Sequence, residues 1–334
     1  MHESDLWVHR RDGYFVYRIP ALVTTAAGTV LAFCEGRRHT GRDHDEIDIL
    51  VRRSFDAGLT WESQRIAVSD GTHTCGNPCP IVDETTGVVW LLFCRNNQEV
   101  FCTRSDDDGA RWAEPREITA TAKDPMWAFV GTGPCHGIQL SSGRLLAPSW
   151  CDESPGPVRW RPRPSWGVIQ SSCAIYSDDH GQSWTRGEML TRDASDECAA
   201  VETADGAVYL NARSRGGRQQ RACAWSRDGG HTWTGVEYDP GQPEPSCQGS
   251  LVRLSKDRVL LAHPSDPGER RRLTLRMSLD ECRSWPVSRV IAEGRAAYSD
   301  LAVAGGMILC LYEGERGLVL ERLDPDWLTG GEDG

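Results

Sequence analysis

The chain has 334 residues, 48 acidic and 37 basic, with a formal net charge of −11. Hydrophobic residues make up 39% and charged residues 25%, the composition of a soluble globular protein rather than a disordered or fibrous one. The acidic balance argues against nucleic-acid binding, which needs a basic face for phosphates. No apolar run approaches the roughly 20 residues of a membrane-spanning helix, so no membrane association is expected. The opening residues, Met1-His2-Glu3-Ser4-Asp5, lack the basic and apolar parts of a secretory signal, which points to a cytoplasmic protein.

Along the chain, six short strand-forming runs are predicted at 29–34, 88–93, 144–147, 207–210, 258–262 and 307–311, several of them behind a Gly or Asp turn signal. Between them recurs an octet, Ser-x-Asp-x-Gly-x-x-Trp, at 54–61, 105–112, 177–184, 226–233 and 278–285, with Cys282 replacing the glycine in the last copy. The Trp-to-Trp steps are 51, 72, 49 and 52 residues, and periods near 50 with strand-like flanks indicate a propeller or another repeat array. The octet has its own logic. Asp accepts backbone N–H groups within a turn, Gly takes the positive φ, and Trp folds back as an apolar wedge. Its carboxylates, Asp56, Asp107, Asp179, Asp228 and Asp280, are therefore read as structural. No helix of three turns is expected. Proline-rich 154–164 and 240–245 read as loops, the first accounting for the long step. The expectation is one domain over 1–334: an all-β, six-bladed β-propeller whose last blade is completed by the N-terminal strand near Val8.

The 13 cysteines are scattered and odd in number, so free, mostly buried thiols are expected. His73, Cys75 and Cys79 hint at metal ligation, but no second Cys/His pair completes a site, and no metal is expected. Gly131, Gly133 and Gly137 have the wrong spacing for a dinucleotide fingerprint, and no cofactor is expected.

Tyr17-Arg18-Ile19-Pro20 followed by the octets resembles the exo-sialidases (neuraminidases), marked by an Arg-Ile-Pro tripeptide ahead of Asp-box repeats. The resemblance runs from Arg18 to Glu313 and is nearest to the compact, cytosolic-type enzymes. It includes Cys34-Glu-Gly-Arg37, Asp196-Glu-Cys-Ala-Ala-Val-Glu202, Leu210-Asn-Ala-Arg-Ser214, Ser246-Cys-Gln-Gly-Ser250 and Ala297-Tyr-Ser-Asp-Leu301. It implies a glycoside hydrolase acting on glycans that end in sialic acid or another nonulosonic acid.

The chemistry explains the residue types. A sialic acid carries a carboxylate on its anomeric carbon, and a planar, permanently charged guanidinium grips such an anion well. By resemblance the clamp is Arg18, Arg213 and one of Arg270, Arg271 and Arg272, with Arg270 favoured by its spacing to Leu273. A carboxylate nucleophile would be repelled by the substrate's own charge, and sialidases use tyrosine instead. The resemblance makes Tyr298 the nucleophile, Glu197 its base and Asp43 the acid for the leaving group, chosen over Asp45 by its spacing to Arg52. It also puts Arg37 and Gln248 on the pocket wall, pairs Glu313 with Arg18 and leaves Glu202 structural. The pocket is expected to be locally positive despite the overall charge. Where related animal enzymes carry a glutamate before a tryptophan this chain has Met126-Trp127, and Ser149-Trp150 replaces expected tyrosines. A deaminated or otherwise modified nonulosonic acid is thus an alternative substrate, transfer to a sugar an alternative reaction, and a propeller lectin the alternative of another class.

Overall fold

The computed structural model describes residues 2–153 and 169–330; the loop expected at 154–164 lies outside the described residues. Six antiparallel sheets form a six-bladed propeller, five of them four-stranded and one five-stranded. The first blade contains Val16–Thr24, Val30–Arg37, Ile47–Ser54 and Arg65–Val68, and the next four span 75–117, 129–186, 195–243 and 250–295. The sixth joins Ser299–Ala304, Met307–Glu313 and Gly317–Leu323 to the N-terminal strand His2–Val8. Each of the six predicted runs falls in the second strand of a blade, beginning with Val30–Arg37 and ending with Met307–Glu313. These strands read as continuous apolar runs because a sheet stacked between two neighbours is buried on both faces. Val30–Arg37 is buried at all eight positions. The described helices are the short Thr119–Ala122 and Pro325–Thr329, and none is long and apolar enough to cross a membrane.

The octets fasten blade to blade. In the fourth copy, Asp228 accepts the Thr232 N–H at 2.8 Å, the Thr232 hydroxyl at 2.6 Å and the Ser226 hydroxyl at 2.8 Å. Gly58, Gly109, Gly181 and Gly230 take φ values of 86°, 78°, 82° and 85°. Cys282 adopts the same left-handed conformation at 66° despite its side chain, which fills a cluster with Tyr209 and Val259. Each Trp reaches the preceding blade: Trp112 meets Phe33 edge-on at 5.6 Å, and Trp184 meets Trp90 at 6.0 Å. The sixth blade has no octet, and Trp327 of Pro325–Thr329 packs into the cluster between the fifth and sixth blades instead. All 13 cysteines are free, and all but Cys223 are buried.

The ring closes where His2–Val8 pairs with Gly317–Leu323, and that ladder sets Glu3 directly opposite Glu321. Glu321 is 4% exposed, and burial together with Glu3 pushes its carboxyl up to about 7. A carboxyl raised in the folded state stabilises the fold below its ordinary value and loses that contribution as pH rises through the folded value. Thermal unfolding should therefore show the protein losing roughly 1–3 kcal/mol between pH 5.5 and 8.5 through this group. Glu321→Gln should flatten that slope; an unchanged slope would remove Glu321 as its source.

Candidate active site

The innermost strands all begin on one face of the ring. Arg18 lies near the start of Val16–Thr24, Glu197 near the start of Ser195–Glu202, and Tyr298 just before Ser299–Ala304. The second strands return to that face and end in Arg37, Glu313 and, one residue earlier, Arg213. Asp43 and Arg270 occupy the loops that follow the second strands of the first and fifth blades.

Tyr298 is the meeting point. Its hydroxyl donates to Glu197 Oε1 at 2.7 Å and accepts from Arg213 Nη1 at 3.3 Å. Arg213 Nη1 also lies 3.0 Å from Glu197 Oε2. The guanidinium carbons of Arg18 and Arg270 are 5.2 and 5.4 Å from the centroid of the phenol ring. Ile19, Cys247 and Ala297 pack with the ring in one apolar cluster. Three arginines from three blades thus converge on one tyrosine. Of the three candidates in the fifth blade, only Arg270 faces it, for Arg271 pairs with Asp266 and Arg272 with Glu293.

Carboxylates hold the arginines in place. Glu313 takes Arg18 Nε at 3.1 Å and Nη2 at 3.3 Å, and its Oε1 also accepts the Ile19 N–H at 3.0 Å. That contact fixes a bulge between Arg18 and Ala21 in which Ile19 has φ = 56°, a conformation β-branched residues rarely adopt. Asp196 grips Arg213 through both oxygens, at 2.7 and 2.6 Å. Arg270 has only the Ser246 carbonyl, at 3.1 Å, and pairs with no carboxylate among the described residues.

Asp43 Oδ1 lies 3.0 Å from Arg18 Nη1 and 2.9 Å from Arg37 Nη1, while 73% of its side chain is exposed. Desolvation acts to raise its carboxyl, but Arg37 and Arg18 together outweigh it and bring the group below its ordinary range. Asp45 instead ties its own loop through the Thr40 hydroxyl at 2.9 Å. Burial, reinforced by Glu197, pushes the Tyr298 phenol well above 10. Burial also raises the Glu197 carboxyl, against the pull of Arg213.

Three expectations need correction. Gln248 does not line the pocket. It is 1% exposed, its amide nitrogen reaches the carbonyls of Pro134, Gly249 and Ser299, and its oxygen accepts the Ser299 N–H at 2.9 Å. With its polar atoms satisfied by backbone, it ties down the residue after Tyr298. Arg37 is 1% exposed and enclosed by Glu35, Asp43 and the Gly41 carbonyl, so it backs Asp43 and presents almost no wall. The pocket is also not locally positive. Arg18, Arg37, Arg213, Arg215 and Arg270 meet Glu35, Asp43, Asp196, Glu197 and Glu313, so the ionised cluster balances to zero.

Glu202 ends the strand that begins beside Glu197 and accepts the Ser141 N–H and hydroxyl, both at 2.7 Å. It borders a cavity of about 360 Å3 on the opposite face. His73 binds Asn96, and no metal-ligating group of three occurs among the described residues. Met126 is 77% exposed, while Trp150 is buried and tilted against Phe129 at 4.6 Å. The counter-ions Glu35 and Asp196 were overlooked in the sequence. Glu35 could have been found by alternation, since residues two apart on a strand share a face and Arg37 follows at that spacing.

Residues 28–310 match the BNR repeat-like domain family. The chain is 32% identical to a sialidase of Micromonospora viridifaciens, over 98% of this chain and 54% of that protein. With sialidase-3 of Mus musculus it shares 28% identity over 96% of this chain and 93% of its relative. Among solved structures, the Hadza microbial sialidase Hz136 superposes with a TM-score of 0.84 at 29% identity, covering 95% of this chain and 67% of the other. A leech intramolecular trans-sialidase shares the fold at a TM-score of 0.83 and 17% identity, over 99% of this chain and 71% of that one. The chain spans about half the length of the bacterial sialidases from M. viridifaciens and Bacteroides fragilis that it matches. It belongs to the Asp-box, BNR-repeat sialidase family.

Removing Glu313 should strand the Arg18 charge and free the Ile19 N–H together. Glu313→Ala should lower stability by about 2–4 kcal/mol, since breaking one side of a buried pair costs about that much. Chemical denaturation measures it; a loss below about 0.5 kcal/mol would mean that Arg18 is held elsewhere.

Proposed function

We propose that the chain is a retaining exo-α-sialidase that removes terminal sialic acid through a covalent tyrosyl intermediate. The observation that carries this reading is the 2.7 Å hydrogen bond from the Tyr298 hydroxyl to Glu197, made among three arginines. The substrate's carboxylate is received by Arg18, Arg213 and Arg270, which sets the anomeric carbon over the phenol oxygen. Tyr298 attacks that carbon as its proton passes to Glu197, whose raised carboxyl is the stronger base for it. The glycosidic bond breaks, and its oxygen takes a proton from Asp43. In the second half, Asp43 takes a proton from water, the hydroxide adds to the anomeric carbon, and the tyrosyl oxygen leaves and recovers its proton from Glu197. Two displacements give net retention. The sialidases among the relatives support the same activity.

A lectin of the same shape would have no use for a phenol hydrogen-bonded to a buried carboxylate. A second substrate, the deaminated nonulosonic acid, is supported by exposed Met126, which stands where the animal enzymes carry a glutamate.

Release of 4-methylumbelliferone from a panel of α-ketosides tests the activity and ranks the two sugars; no turnover of any would leave only binding. Tyr298→Phe should lower turnover about 10³-fold or more while leaving the melting temperature within a few degrees. Unchanged turnover would remove Tyr298 as the nucleophile. Asp43→Ala should cost about 10²–10⁴-fold on sialyllactose but far less on the aryl glycoside, whose leaving group needs little protonation. Equal losses would count against its role as the acid.

A further inference from the structure

The clamp already carries an anion of its own. Asp43 Oδ1 is shared by Arg18 Nη1 and Arg37 Nη1, while the other edge of Arg18 belongs to Glu313. Arg213 is committed to Asp196 and Glu197, which leaves Arg270 as the one clamp arginine without a carboxylate among the described residues. A substrate carboxylate can meet Arg270 directly, but it reaches Arg18 Nη1 in competition with Asp43.

We propose that the sugar's carboxylate displaces Asp43 from Arg18, and that this exchange loads Asp43 with the proton it delivers to the leaving group. The inference rests on the sialidase reading above and deepens it. The charge count favours such a step. The ionised cluster is already balanced, so an anionic substrate leaves one negative charge in excess unless a carboxylate takes up a proton. Asp43 is the group whose support changes on binding. It loses Arg18 to the competing anion and gains that anion as a neighbour, and a like charge favours the neutral form.

The groups facing Asp43 do not compensate. Arg37, at the end of the second strand, stays beside it, but both Nε and Nη2 of Arg37 bind Glu35 Oε2, at 3.0 and 2.7 Å. Glu35 is fixed in turn, its Oε1 accepting the Asn77 N–H at 2.9 Å. Glu313 matches Arg18 from the sixth blade, and His44 is the next residue on Asp43's own loop. Arg37 thus acts as a positioning residue, keeping Asp43 within reach once Arg18 has released it. The acid is ionised in the empty enzyme and becomes protonated in the complex, so it is armed only when a bond is there to be cleaved. The proton comes from solvent, and no other bond changes in the exchange.

The test is calorimetric titration at pH 5.5 with 2-deoxy-2,3-didehydro-N-acetylneuraminic acid, which has the carboxylate but no leaving group. Repeating it in buffers of different ionisation enthalpy gives the protons taken up on binding. Wild type is expected to take up between about half a proton and one proton. Asp43→Asn, an exposed substitution, should take up almost none and bind several-fold more tightly at pH 7, because the competing carboxylate is gone. Glu197→Gln should retain the uptake. Binding by wild type without uptake, or uptake lost in Glu197→Gln and retained in Asp43→Asn, would overturn the proposal and leave the sialidase reading intact. Failure of wild type to bind both this ligand and its deaminated analogue would remove the sialidase reading, and the proposal with it.

Discussion

Three guanidinium groups cannot be crowded around one phenol unless their mutual repulsion is met from behind. Glu313 and Asp196 meet it for Arg18 and Arg213, each through two oxygens, and Glu35 holds Arg37 through a single oxygen. These pairs are expensive to desolvate and contribute little net stability. What they supply is geometry: Arg18 and Arg213 are each fixed along one edge by an acid. The site is thereby assembled before any substrate arrives, which keeps reorganisation out of the reaction itself.

The propeller suits that task because its innermost strands all start at one mouth. Distant stretches of chain are brought together at strand ends, with only Asp43 and Arg270 on the loops beside them. The bulge at Ile19 is the local cost. A β-branched residue in the left-handed region costs on the order of 1–3 kcal/mol, and it persists because Glu313 holds both the Ile19 N–H and the Arg18 side chain. One carboxylate therefore sets a backbone and a side chain at once.

The fold was highly legible in the sequence. Five copies of an octet with a fixed Asp, Trp and near-constant spacing leave few architectures open, and apolar runs between turn signals locate the second strands. The convergence on Tyr298 was legible only through motifs, because nothing in a linear sequence says that residues 18, 213, 270 and 298 share a mouth. Spacing to Leu273 favoured Arg270 over Arg271 and Arg272, and the structure agrees, since those two pair with Asp266 and Glu293 while Arg270 faces the phenol. The misreadings have one cause. A polar residue in a family motif was taken to face the ligand, whereas Gln248 spends its amide on three carbonyls and a backbone N–H, and Arg37 is walled in by its own counter-ion. The sign of the pocket failed for the same reason: arginines announce themselves in motifs, while the acids behind them lie on several strands.

The pairing of His2–Val8 with Gly317–Leu323 also dictates an order of events during biosynthesis. His2–Val8, which precedes the other described strands, must wait unpartnered until about three hundred further residues have emerged. Five sheets can form hairpin by hairpin on the ribosome, but the circle shuts only with the last of them, and Trp327 seals the final gap later still. Any factor that shields an open sheet edge during that wait would govern the yield of active protein more than the stability of the finished ring does.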